Sequence, residues 1–313
     1  MPEQLTRRGF LGGCGAAGVL ALAGCSPRGD DRTDPGGPVT VSHLFGQTTI
    51  PEPPRRVVSA GYTGQDDLLA VGVVPIALTD WFGDQPFAVW PWARPRLGAA
   101  EPVVLNLDDG IDVGRIGELE PDLIVATNAG LDAETYQRLS AIAPTIAQSG
   151  GAAFFEPWKE QATAIGRAVH QGDRMRSAID DVERRFADVA SAHPQFNGKN
   201  VLLLSGRLDR GRVVSATGWR TEFLARMGLV VAGAPAAIDR DQIESALGSV
   251  DVLIWTTESD DEQQALIADP AIAAAADRSV FTSTEQAAAI AFASPLSYPL
   301  VTDQLPARIA EVL

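Results

Sequence analysis

The chain has 313 residues, 45% hydrophobic and 21% charged, with a formal net charge of -15. That balance belongs to a soluble globular protein long enough for two hydrophobic cores, and so acidic a surface repels phosphate backbones and anionic lipid, which argues against a nucleic-acid partner. Lys159 and Lys199 are the only lysines, so an anion site here is built from arginine, whose guanidinium stays charged and grips oxyanions in a fork.

Thr6-Arg7-Arg8-Gly9-Phe10-Leu11 is a twin-arginine sequence, followed by a Gly/Ala-rich apolar run to Gly24 that is too short for a transmembrane span. Leu22-Ala23-Gly24-Cys25 resembles the lipobox of bacterial lipoproteins. The resemblance implies that residues 1–24 are a signal peptide removed before Cys25 and that the Cys25 thiol carries lipid. Cys14 leaves with that leader, so packing alone stabilises the mature chain. Residues 25–38, polar and rich in Gly, Pro and Asp, read as a flexible tether. A domain anchored to the outer face of the cell membrane is expected.

Residues 39–171 read as a first α/β lobe. Val39 to Ile50 alternates loosely and predicts an opening strand or hairpin. Prolines 51, 53 and 54 stop it, and Arg55 to Ser59 begins a buried strand. Gly61 to Asp67 turns into a helix through Leu68, Leu69 and Val71. Strands are predicted at Val73–Leu78 and Pro121–Thr127, the latter apolar enough to be covered on both faces. Helices are predicted at Val113–Leu119, Ala133–Ile142 and Trp158–Val169.

Residues 172–194 predict one long helix. Met175, Ile179, Val182, Phe186 and Val189 are spaced four, three, four and three, a single apolar seam. Asp173 is placed to cap it, and Asp180 with Arg184 and Asp181 with Arg185 are acid-before-base pairs four apart. About 20 residues at ~1.5 Å each give a rod of roughly 30 Å, the width of a small domain, which predicts a strut between two lobes.

Residues 195–313 repeat the alternation. Strands are predicted at Val201–Ser205, Arg212–Ser215, Val250–Trp255 and Ser279–Thr282, and helices at Thr221–Met227, Ile243–Leu247 and Pro295–Val312, the last kinked or split by Pro306. The short helix, acidic turn and buried strand at 243–255 echo those at 113–125. Two Rossmann-like lobes with mostly parallel sheets, joined by a single long helix with a ligand cleft between them, follow.

No Gly-x-Ser-x-Gly elbow, Walker loop, Gly-x-Gly-x-x-Gly after a strand or His-Glu-x-x-His is present. His43, His170 and His193 have no spacing of a metal cluster. A secreted α/β hydrolase therefore rests only on abundant acids and hydroxyls, and a binding function is expected. Trp81 to Arg96 holds three of the six tryptophans among prolines. Trp81, Trp90 and Trp92 are expected as a ligand wall with Arg94 or Arg96 as its cationic rim. In the second lobe Arg207, just beyond the strand ending at Ser205, and Trp219-Arg220, in a loop before a helix, are expected opposite, since α/β folds place ligands at strand ends. Tyr62 follows the first buried strand likewise.

His43-x-Phe45-Gly46-x-Thr48-x-Ile50-Pro51-x-x-Pro54-x-Arg56-Val57-Val58, Glu120-Pro121-Asp122-Leu123-Ile124, the single strut and Ser294-Pro295-Leu296-Ser297 together resemble the ferric-siderophore and cobalamin substrate-binding proteins of ABC importers. The resemblance implies a monomer that holds a ferric siderophore between two lobes and delivers it to an ABC importer permease, with no resident metal or cofactor. Arginines and aromatic rings hold ferric ligands in that family, which fits Tyr62, the Trp81 to Arg96 loop, Arg207 and Trp219. Acidic residues on the lobes dock on the permease, for which Glu134 and Glu222 are the candidates. The aromatic loop also suits a flat ligand, so haem, with Tyr62 or Tyr298 as iron contact, or cobalamin is the alternative.

Overall fold

The computed structural model describes residues 37–151 and 154–313, so the twin-arginine sequence, Cys25 and nearly all of the tether lie outside the described residues. Strands β1 (Val39–His43) and β2 (Gly46–Ile50) form an antiparallel hairpin with Val39 opposite Ile50. Then come β3 (Val57–Ser59), α1 (Gly64–Ala70), β4 (Ala77–Thr79), β5 (Val103–Leu105), α2 (Val113–Glu118), β6 (Leu123–Ala126), α3 (Ala133–Ser140), β7 (Thr145–Ala147) and α4 (Trp158–Ala168). The five strands after the hairpin form one parallel sheet in the order β5-β4-β3-β6-β7. Successive side chains point to opposite faces of it. Val57, Leu123, Val125 and Ile146 pack with Leu68 of α1 and Ile165 of α4, whereas Val58, Ile124 and Ala126 pack with Ile116 of α2 and Leu139 of α3. The apolar run at 123–126 is therefore covered on both faces, as expected.

Helix α5 (Gly172–Ala192) comes next, and the apolar seam divides along it. Met175 lies in the first lobe's core, Val182, Phe186 and Val189 lie in the second lobe's core, and Ile179 packs against both. Its polar partners differ from those the spacing suggests. Gln171 occupies the cap position without a side-chain bond, and Asp173 instead pairs with Arg176 at 2.7 Å. Arg184 pairs with Asp181, three residues before it, while Arg185 reaches Asp303 of the last helix at 3.2 Å.

The second lobe contains β8 (Asn200–Asp209), β9 (Arg212–Ser215), α6 (Glu222–Arg226), β10 (Val230–Val231), β11 (Ala237–Ile238), α7 (Ile243–Gly248), β12 (Val252–Thr256), α8 (Asp260–Ile267), α9 (Pro270–Ala273), β13 (Ser279–Phe281), α10 (Thr284–Phe292) and α11 (Tyr298–Glu311). The sheet order is β11-β9-β8-β12-β13, with β10 beside the start of β8. Here β8 runs parallel to β10 and β12, and β12 to β13, while β9 and β11 are antiparallel additions. Helix α11 passes through Pro306 as one helix rather than two.

The echo between the lobes extends to single hydrogen bonds. In the first, the Asp122 carboxylate before β6 accepts from the backbone N–H groups of Arg55 and Arg56, each at 2.8 Å, at the start of β3. In the second, the Asp251 carboxylate before β12 accepts from the N–H of Asn200 at 2.8 Å, at the start of β8. Each acid satisfies donors that the first residues of a central strand would otherwise leave open.

Candidate functional site

The site forms where the parallel strands end. After β3 the chain passes so close to the turn after β6 that a Cβ on Gly61 would sit 1.9 Å from the Thr127 carbonyl oxygen. Only glycine fits that approach. The second lobe repeats it at Gly206 on β8, where a Cβ would lie 2.4 Å from the Thr256 carbonyl oxygen. Beyond Gly61, Tyr62 emerges half-buried and stacks on Trp81 (ring centroids 5.5 Å) and on Phe154 (5.8 Å), with planes inclined by 24° and 22°. Trp81 in turn meets Phe155 at 5.1 Å and Phe292 of α10 at 5.5 Å.

A buried polar relay holds Phe155 in place. The Phe155 backbone has a φ of 61°, unusual for a bulky residue, and its N–H donates to the Asn128 side-chain oxygen at 2.9 Å. The Asn128 amide donates to the Thr63 hydroxyl at 3.1 Å, and the Gln161 amide donates to that hydroxyl at 3.0 Å and to Asp67 at 2.8 Å. Burial pushes the Asp67 carboxyl well above the usual range; the Gln161 bond opposes that, and the nearby Asp66 and Glu156 charges add to it. In an interior such unpaired charge is costly, so these groups are fixed by one another.

The facing wall belongs to the second lobe, where a cavity of about 400 Å³ is lined by Ser205, Ser215, Trp219, Arg220, Glu258 and Ile290 among others. The Arg220 guanidinium lies over the Phe155 ring at 4.5 Å and over the Trp219 ring at 5.0 Å. It thus stacks on one ring from each lobe. Among the described residues it has no carboxylate within ion-pair distance, and burial lowers its pKa. The Glu258 carboxyl at the same cavity is raised by burial and by the Glu262 charge, while Arg207 lowers it. Two walls of aromatic rings with one unpaired cation between them can hold an anionic or hydrogen-bond-accepting ligand by stacking and charge-assisted bonds.

The sequence profile of the family described as periplasmic binding protein matches residues 57–287. The chain belongs to the periplasmic binding protein family. A curated relative, a probable siderophore-binding lipoprotein of Bacillus subtilis (strain 168), is 32% identical over 194 residues, covering 60% of this chain and 56% of that protein. The Fe(3+) dicitrate-binding periplasmic protein of Escherichia coli (strain K12) is 26% identical over 204 residues, 65% of this chain and 66% of that one. Less than two thirds of either relative's length is spanned. A crystal structure of a periplasmic solute binding protein from Mycobacterium smegmatis str. MC2 155 superposes with a TM-score of 0.87 at 62% identity, covering 88% of this chain and 99% of that one. Streptococcus pneumoniae TIGR4 PiaA in complex with ferrichrome shares the fold, with a TM-score of 0.71 at 22% identity over 88% of this chain and 98% of that one.

As a periplasmic binding protein the chain brings Tyr62, Trp81, Trp219 and Arg220 together at the cleft, and the other residues expected there lie elsewhere. Trp90 is 3% exposed and stacks on Trp92 at 5.2 Å with planes 3° apart, both packed against Phe292. The Trp92 indole donates to Asp66 at 2.8 Å. Their loop closes into the protein because Gly83 lies against the Trp90 ring, where a Cβ would come within 2.5 Å. Arg94 donates to the Gln85 side-chain oxygen at 2.9 Å and the Val89 carbonyl at 3.2 Å within its own loop. Arg96 lines a separate groove beside α5.

Arg207 does not follow the strand but lies in it, because β8 continues to Asp209 and pairs with β9. Its side chain, 71% exposed, is bound by Glu258 and Glu262. Tyr298 is 1% exposed, its ring against Trp158 at 5.2 Å and Phe186 at 5.1 Å, and burial raises its pKa. A phenol sealed in the second lobe's core cannot reach an iron centre in the cleft. Glu134 and Glu222 are exposed in the first turns of α3 and α6. Phe154 and Phe155 are the cleft aromatics that sequence reasoning missed, and the buried Phe292 backs Trp81 from behind. The signal for the first two is the Phe-Phe pair itself, which follows β7 as Tyr62 follows β3.

Proposed function

We propose that this chain captures a ferric siderophore in the cleft between its lobes and delivers it to an ABC importer. The observation that carries this is Arg220, a guanidinium without a counter-ion held between Phe155 and Trp219 at the mouth of the cavity. Such a group, partly desolvated and pre-positioned, is suited to the oxygen-rich shell of a chelated iron. The siderophore-binding name of a relative that is 32% identical supports the same reading, as does the lipoprotein name for an anchor on Cys25 outside the cytoplasm. The protein acts as a monomer, and Glu134 and Glu222, exposed on different lobes, serve as contacts for permease arginines.

Titration of the apo protein with a panel of ferric siderophores, followed by tryptophan fluorescence, tests this. Saturable quenching through Trp81 and Trp219 is expected, and no quenching by any of them overturns it. The near-parallel Tyr62, Trp81 and Phe154 rings favour a second reading, a flat haem or cobalamin ligand, with Tyr62 as the phenol open to a haem iron. A shifted Soret band on haem addition with no response to ferric siderophores would select haem.

A further inference from the structure

The charges around the cleft say which class of ferric complex it accepts, an inference that rests on the siderophore reading. We propose that the ligand is a ferric complex of near-zero net charge with a largely apolar periphery, of the hydroxamate type, and that polyanionic tris-catecholate complexes are discriminated against.

Among the described residues the first lobe faces the cleft with an uncharged aromatic wall. Its wall is Tyr62, Trp81, Phe154 and Phe155. On the second lobe the charged side chains lining the cavity are Arg220 and Glu258, of opposite sign. Of the other arginines expected at the cleft, Arg207 is bound by Glu258 and Glu262, Arg94 bonds within its own loop, and Arg96 lines the separate groove beside α5.

Among the described residues lining the cavity, Arg220 is the one guanidinium. A trianionic complex would leave most of its charge unmatched in a partly dehydrated site beside Glu258, and unpaired charge is penalised more strongly as water is excluded. A chain of net charge -15 also slows the approach of a polyanion. In a ferric tris-hydroxamate each hydroxamate cancels one charge of the iron. Its methylene periphery suits the aromatic wall, and its remaining oxygens accept from Arg220.

The test is tryptophan quenching of the apo protein by ferrichrome, a neutral tris-hydroxamate, and by a trianionic ferric tris-catecholate, at low and physiological ionic strength. Ferrichrome is expected to bind at least about tenfold more tightly, with the gap widening at low salt as screening weakens. Glu258→Gln, which removes the one carboxylate among the described residues lining the cavity, is expected to tighten the trianion several-fold and to narrow its gap to ferrichrome by that factor. Equal or tighter binding of the trianion by the unaltered protein overturns the charge assignment and leaves the siderophore reading standing. Quenching by neither overturns the charge assignment, and the panel titration then decides the siderophore reading.

Discussion

The Ser294 hydroxyl donates to the buried Asp66 carboxylate at 2.6 Å, joining two residues 228 positions apart in the chain. Asp66 belongs to α1 of the first lobe, and Ser294 to the turn between α10 and α11 of the second. The same carboxylate oxygen accepts from the Trp92 indole, so one atom ties the aromatic loop and the second lobe to α1. Ser294 is fixed in turn, since its oxygen also accepts from the Ser297 N–H at 2.9 Å while its own N–H donates to the Ser297 hydroxyl at 2.9 Å. Ser294→Ala removes a charge-assisted bond between two buried residues. A loss of about 1–3 kcal/mol in unfolding free energy is expected, measured by urea denaturation, with the affinity for ligand little changed because no atom of the pair faces the cavity.

The buried acid also sets a pH dependence. Burial pushes the Asp66 carboxyl up to about 6 from its ordinary 3.8, opposed by its bonds from Ser294 and Trp92. The folded state then holds a proton on Asp66 that the unfolded state has already released, so this group costs stability as pH rises from about 4 to 6 and the full cost stands above that. Asp66→Asn keeps an oxygen for both donors and removes the charge. Stability at neutral pH is expected to rise by up to about 3 kcal/mol relative to that at pH 4, read from denaturation midpoints across that range. An unchanged pH slope would show that Asp66 ionises freely in the folded protein.

The lobes and the strut were legible because they are written in periods: the four-three spacing of α5 and the continuous apolar run at 123–126 each allow one packing solution. The cleft was legible only in kind. Arg207 and Arg220 look equivalent in the sequence, each beyond a strand of the second lobe. What separates them is long-range, the continuation of β8 to Asp209 and the arrival of Glu258 and Glu262 from the β12 to α8 turn. Trp90 and Trp92 likewise carry no local mark that tells a core ring from a ligand wall. Phe155 depends on Asn128, 27 residues earlier, for its backbone conformation. Helix α10 has an Ala-rich sequence apolar on all sides, with no amphipathic stripe to announce it.

Arg220 and Arg207 now make opposite predictions. Arg220→Ala removes the one cation at the cavity and the stack on Phe155 and Trp219, so a ferric siderophore should bind about tenfold or more weakly. Arg207→Ala removes a solvated partner of two glutamates, and exposed pairs of that kind contribute about 1 kcal/mol or less. Binding should then change by no more than a few-fold. Fluorescence titration of both variants decides between them, and a larger loss from Arg207→Ala would move the site to the outer face of β8.

Asn128→Ala tests the relay behind the aromatic wall. Without the Asn128 oxygen the Phe155 N–H loses its acceptor, and a bulky residue at a φ of 61° has little else to keep it there. Phe155 should relax to an ordinary conformation and leave Arg220 stacked on Trp219 alone. The expected result is weaker binding together with a loss of about 1–3 kcal/mol in stability, since the Phe155 N–H and the Thr63 hydroxyl each lose a partner. Retained affinity in a folded Asn128→Ala variant would show that Phe155 is held by packing instead.

Movement of the lobes is limited by α5 and by the Asp66–Ser294 bond acting together. Closing the cleft about α5 would require the helix to bend, and sharp bends arise at proline, at glycine or where the hydrogen-bond ladder is interrupted. No proline lies in Gly172–Ala192, and its one glycine is the first residue. Met175 is locked in one core and Val182, Phe186 and Val189 in the other, so a bend near Ile179 would open both. Hinge closure of other two-lobed binders places the change in a few strand or loop residues, and here the lobes are also tied by the hydrogen bond to a buried carboxylate. The radius of gyration in solution scattering is therefore expected to stay the same within error on saturation with ligand, whereas Ser294→Ala, with one tie cut, should allow a measurable decrease. A sharp decrease in the unaltered protein would mean that α5 bends despite its packing.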